Sequence, residues 1–141
     1  MTAGPRRVHA AVGAACAVAF AAVGLLFLAL PGAVLGFFDE LSRRSGLAAF
    51  PGPVDRFWLI LAAAYMYVVT VLAWSMFRRP ADPVYPRLLA HAKLCSAALS
   101  LAAFALVVPH LIFLANGVVD GAIGALALTL WRRCAPEASA P

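Results

Sequence analysis

Residues 8–30 read VHAAVGAACAVAFAAVGLLFLAL, twenty-three positions without an Asp, Glu, Lys or Arg. At a helical rise of 1.5 Å the stretch is about 34 Å long, enough to cross a hydrocarbon core of about 30 Å. A helix on the surface of a soluble domain carries a polar stripe, and this one has none. Pro31-Gly32 then ends the run. Ala10, Ala14, Ala17, Ala21 and Gly24 recur at three- and four-residue spacing. They form a face with almost no side-chain bulk, the kind that lets helices approach closely in lipid. Arg6-Arg7 followed by an apolar run resembles a secretory signal, but the run is longer than a signal core and no clean A-x-A site follows. The expectation is an uncleaved first span.

Three more apolar runs follow. Residues 57–77 carry Trp58 and Trp74 near their two ends, as interfacial aromatics do. Residues 87–108 form the third span, which Pro109 kinks or ends, with Leu111 to Leu114 as a conceivable continuation. The fourth, 117–131, is about 22 Å long by the same rise, short for a bilayer. Local thinning or packing beneath its neighbours accommodates such a helix, and Gly117, Gly121, Gly124 and Ala125 supply small residues for that packing. Between the first two spans, Val34, Leu35, Phe37, Phe38 and Leu41 alternate with Asp39, Glu40, Arg43 and Arg44 in a helical pattern. That pattern predicts a short amphipathic helix lying in the interface, before Pro51-Gly52-Pro53 breaks the chain.

The fold class expected is therefore all-α: a polytopic integral membrane protein, a four-helix transmembrane bundle with an interfacial segment between helices 1 and 2. Residues 1–133 form one domain, and 134–141 a disordered cytoplasmic tail. Composition agrees. Of 141 residues 65% are hydrophobic and 12% charged, where soluble domains hold roughly a quarter charged. Mean hydropathy is +0.93.

A net charge of +5 raises the question of nucleic acid. The arginines, however, come as doublets beside apolar runs (Arg6-Arg7, Arg43-Arg44, Arg78-Arg79, Arg132-Arg133), with no basic face interleaved with aromatics. They read as topogenic. The N-terminal segment, the connection holding Arg78, Arg79 and Arg87, and the segment after Trp131 are all basic. Positive-inside counting then places both termini in the cytoplasm of a multi-pass protein of the cell (inner) membrane. Arg43, Arg44 and Arg56 in the first connection are the one discordant group, balanced by Asp39, Glu40 and Asp55. One lysine against ten arginines, with abundant Ala and Pro, points to a GC-rich bacterial genome.

An ionisable group inside a span is a functional hypothesis by default, and Lys93 and Asp120 qualify. Depth arithmetic puts Tyr67, Ser96 and Asp120 in one mid-bilayer layer, with Lys93 and Thr70 just beneath. One reading is a polar pocket in which Lys93 and Asp120 neutralise each other and Tyr67, Thr70, Ser96 and Ser100 line the cavity. It could take a lipid head, a small substrate or a proton. The alternative treats each residue separately. Lys93 snorkels to the head groups, Asp120 sits in the first turn of a short helix capped by Asn116, and Ser96 and Ser100 bond their own backbone.

His9 and His110 fall near interfaces, where a wet imidazole needs no explanation. His91 and Cys95, four apart, are two ligands without a third, and Cys16, Cys95 and Cys134 are scattered, so neither metal nor cofactor is expected. No nucleophile elbow, phosphate loop or zinc-protease motif is present. The function expected is that of a non-enzymatic accessory, interaction or lipid-binding membrane protein. Its partners are the bilayer and, through the small-residue faces, a second copy or another membrane protein. A small transporter using the Lys93/Asp120 pair, or a membrane-embedded enzyme acting on a lipid or isoprenoid, are the alternatives.

Overall fold

The computed structural model describes residues 3–49 and 56–134, and is all-helical. The Pro51-Gly52-Pro53 breaker and the expected tail beyond Cys134 lie outside the described residues. Among the described residues five helices follow in order: α1 (Ala3–Ala29), α2 (Pro31–Arg44), α3 (Arg56–Arg78), α4 (Val84–Leu106) and α5 (Leu111–Cys134). Four of them, α1, α3, α4 and α5, are long and apolar enough to cross a bilayer. Only 17% to 22% of the most apolar stretch of each is buried within the bundle. So much outward-facing apolar surface is stable where the solvent is lipid rather than water.

The helices pair before they bundle. α1 packs along α3 and α4 along α5, and the two pairs meet chiefly through α3 and α4. Glycine sets both seams. A Cβ on Gly13 would stand 2.7 Å from the Phe77 backbone nitrogen and 2.9 Å from the Ala73 carbonyl oxygen, so α1 touches α3 backbone to backbone. On α5, a Cβ on Gly124 would stand 3.1 Å from the Leu94 nitrogen and 2.8 Å from its Cγ. At Gly121 it would meet only the Ala97 methyl, at an ordinary 3.7 Å. The tight positions of that helix are thus Gly117 and Gly124 rather than Gly121. Gly13, absent from the stripe noted above, makes the closest approach on α1.

α5 begins at Leu111, six residues before the expected 117, and spans 24 residues rather than fifteen. Gly117 looked like a boundary because glycine marks helix ends as well as close packing. Here it packs against Leu101. The true start is capped by two side chains. His110 Nδ1 accepts the Ile112 N–H at 3.2 Å, and Ser42 Oγ, from α2, accepts the Leu111 N–H at 3.0 Å. Asn116 therefore caps nothing, and Asp120 lies mid-helix.

α2 is the expected amphipathic helix. Pro31 opens it, having no N–H to lose in the first turn. Gly46 (φ 70°) closes it, with Leu47 N–H on the Ser42 carbonyl at 2.8 Å and Gly46 N–H on the Arg43 carbonyl at 3.1 Å. Glu40 accepts from both Arg43 and Arg44 at 2.8 Å. The Arg43 hydrogen bond, then that of Arg44, holds its carboxyl below the usual carboxylate range.

Clustered buried apolar residues gather toward one end of the bundle. They are Ala17 and Phe20 on α1, Val69, Ala73 and Met76 on α3, Leu89 and Ala90 on α4, and Ala127 and Leu130 on α5. This is the end where Arg87 stacks over Trp131 (5.5 Å) and Arg79 donates to the Tyr85 hydroxyl (3.1 Å). Toward the opposite end the two pairs part and clefts open between them.

Candidate functional site

Lys93 and Asp120 meet. Lys93 Nζ donates to Asp120 Oδ1 at 2.8 Å, with side-chain exposures of 3% and 6%. The snorkelling of Lys93 and the first-turn placement of Asp120 are both overturned. Lys93 turns inward because its ammonium finds, besides the carboxylate, the faces of Phe20 (4.4 Å) and Tyr65 (5.3 Å). Ring faces attract a cation most when it is desolvated. Phe20 is on α1 and Tyr65 on α3, so an ion pair formed within α4/α5 is held by the other helix pair. Two further bonds cross the same divide: Tyr65 Oη–H donates to the Ala92 carbonyl at 3.0 Å, and His9 Nε2–H to the Leu130 carbonyl at 3.0 Å.

The remaining residues of the expected pocket go elsewhere. Tyr67 is 71% exposed and faces away from the ion pair. Thr70 folds back onto the Met66 carbonyl at 2.7 Å. These two border a recess of about 220 Å³ against α1. Ser96 and Ser100 do not fold back. They accept hydrogen bonds from Asn116 Nδ2 of α5, at 3.3 and 2.8 Å. Beside them runs a groove of about 750 Å³ between the helix pairs, lined by Trp58, Tyr65, Ser96, Leu99, Ser100 and Phe113 among others. A smaller cleft of about 280 Å³, reaching Phe27, Phe38 and Asn116, lies under α2 on the other face. Lys93 and Asp120 line none of these. One expected pocket is in fact a sealed ion pair and an open groove.

Tyr65 could have been preferred to Tyr67 from the sequence. Tyr65, Val69, Ala73 and Met76 recur at helical spacing and form the inward stripe of α3, whereas Tyr67 shares its face with Val71 and Trp74. Two residues two apart on a helix point to nearly opposite sides, so only one tyrosine can reach the interior.

The histidines near the helix ends are not wet. His9 and His110 are 1% and 0% exposed. His110 accepts the Ile112 N–H on Nδ1, so its Nε2–H donates to Asp39 Oδ1 at 2.7 Å. With Ser42 on the Leu111 N–H and the Ala48 N–H on the Pro109 carbonyl (3.3 Å), α2 is latched to the α4–α5 turn. A histidine directly after Pro109 and before an apolar run was the available signal, since that is an N-cap position.

His91 and Cys95 are both exposed on α4, and no three metal-ligating side chains come together among the described residues. No protein family, curated protein or solved structure matches the chain.

Proposed function

We propose that this chain is a non-enzymatic accessory or lipid-binding protein of a bacterial inner membrane, with both ends on the cytoplasmic side. The observation that carries the reading is the enclosure of Lys93–Asp120. A transporter's coupling pair must meet water on each side in turn, and an acid–base pair must meet a substrate. This pair instead is buried and lines none of the clefts; its ammonium lies over the rings of Phe20 and Tyr65, where it joins the two halves of the bundle. The orientation is supported by the arginines. Arg78, Arg79, Arg87, Arg132 and Arg133 belong to the closed end, and Asp82, an acid in the same connection as Arg78, Arg79 and Arg87, is used by the Val84 N–H at 3.0 Å. Arg43 and Arg44 of the first connection are both engaged by Glu40.

The test replaces the pair by apolar residues of similar size, Lys93→Met with Asp120→Leu. Wild type and the double variant are extracted gently from native membranes and compared for the lipids and proteins that accompany them. The same companions are expected for both. A folded double variant that has lost them would show that the ionisable pair itself does the work.

A further inference from the structure

We infer that the groove between α3 and α4 is a binding site for an uncharged, ester-bearing lipid of the diacylglycerol class, read by the Ser96 and Ser100 hydroxyls, which Asn116 engages from α5. The inference rests on the lipid-binding reading above and narrows it to one site and one chemistry.

The first observation concerns hydroxyl hydrogens. A serine or threonine in an apolar helix ordinarily donates to a carbonyl of its own preceding turn. Thr70 and Thr129 do so, on the carbonyls of Met66 and Leu126, each at 2.7 Å. Ser96 and Ser100 make no such bond among the described residues. Each instead accepts from Asn116 Nδ2, which leaves its own O–H to give. Ser96 has the Tyr65 hydroxyl beside it, whereas the Ser100 hydrogen has no acceptor among the described residues. An unpaired donor in hydrocarbon is costly. A ligand carbonyl supplies the missing acceptor.

The second observation is the lining. The groove is apolar and aromatic (Trp58, Leu99, Ala103 and Phe113 around the two serines), and no Arg, Lys, Asp or Glu among the described residues lines it. A charged head drawn among these residues would be stripped of water with none of them to pair it. Its volume of about 750 Å³ falls within the range of about 300–1,000 Å³ usual for small-molecule sites.

Depth is the third. Ser100 lies six residues before the end of α4 and Ser96 ten, so their Cα atoms are about 9 and 15 Å inside that end. The half-thickness of the hydrocarbon core is about 15 Å. A phospholipid whose charged head stays in the interface does not carry its ester carbonyls so far in. A diacylglycerol, with no charge to keep wet, does.

The experiment uses the full chain in lipid nanodiscs and a diacylglycerol carrying a diazirine on one acyl chain. Photolabelling is expected on peptides holding Tyr65, Leu99 and Phe113. Unlabelled diacylglycerol is expected to compete about fivefold or more better than its diether analogue, which lacks both carbonyls, as one or two hydrogen bonds would give. Phosphatidylglycerol should compete no better than the diether. Ser100→Ala with Asn116→Leu should make ester and ether equal. Leu99→Trp, which fills the groove with a larger apolar ring, should abolish labelling while thermal stability is kept. Equal competition by the diether against wild type, or effective competition by phosphatidylglycerol, would overturn the assignment. Labels scattered over all lipid-facing surfaces would overturn it too, while leaving the enclosed ion pair and the non-enzymatic reading intact.

Discussion

The two ends of this bundle are built from the same kinds of residue and behave differently. At the arginine-rich end, Val69, Ala73, Met76, Leu89 and Leu130 close the space between the helix pairs. An ion pair and two aromatic rings complete the enclosure there. At the other end, the pairs stand apart around two clefts, and α2 ties the structure together from outside. Within lipid, apolar contact alone gives little reason for one helix to prefer another over the acyl chains. The contrast teaches that polar bonds and close small-residue contact decide where the pairs meet, while apolar surface without them is left to the bilayer.

The largest effect expected belongs to the closed end. Either Lys93→Met or Asp120→Leu alone strands a buried charge and should cost about 3–5 kcal/mol, whereas the double substitution should recover most of it. Reversible unfolding of the four proteins in mixed micelles measures this, and additive losses would show that the two side chains act independently. Next come the seams. Gly13→Ala drives a methyl into the α3 backbone and should cost about 1–3 kcal/mol. Gly121→Ala should stay within about 0.5 kcal/mol, because its Cβ finds ordinary contact distance. Equal losses at the two sites would erase the distinction between tight and loose glycine positions.

Smaller effects are expected at the open end. Ser42→Ala removes a helix cap and should cost about 0.5–2 kcal/mol, seen as faster amide exchange in α2 and at Leu111 with little change near Lys93. Uniform acceleration through the bundle would mean that the latch is not local. The smallest is a pH effect in α2. Because Arg43 and Arg44 lower the Glu40 carboxyl, its contribution is fully present above the ordinary glutamate value of about 4.3 and fades as pH falls through the lowered one. Glu40→Gln should flatten the acid side of α2 helicity, and an unchanged acid limb would show that the two pairs contribute nothing measurable.

Much of this was legible in the sequence because bilayer thickness and helical rise translate directly into run length. Three of the four long helices lie within a few residues of their expected spans, and the amphipathic pattern at 34–44 gave α2. The partnership of Lys93 with Asp120 was also within reach, since two lone charges at similar depth have reason to meet. Three features were hidden for specific reasons. Gly117 carries one signal with two meanings, boundary and close packing. Ser42 and Asp39 sit on the hydrated face of an amphipathic helix, and only tertiary contact with the Leu111 N–H and with His110 turns that face inward. The choice of Tyr65 over Tyr67 required the period of α3 to be phased against its apolar stripe rather than read by depth alone.

The most direct measurement of the enclosed ion pair uses the fact that Lys93 is the chain's only lysine. A water-soluble amine-acylating reagent applied to native membranes can modify just this side chain and the terminal amine, and mass spectrometry separates the two. Lys93 is predicted to stay unmodified over hours in the folded protein and to react fully once the chain is unfolded in denaturing detergent. Steady acylation of Lys93 in intact membranes, at a rate near that of the terminal amine, would show that water reaches the pair and would contradict the account.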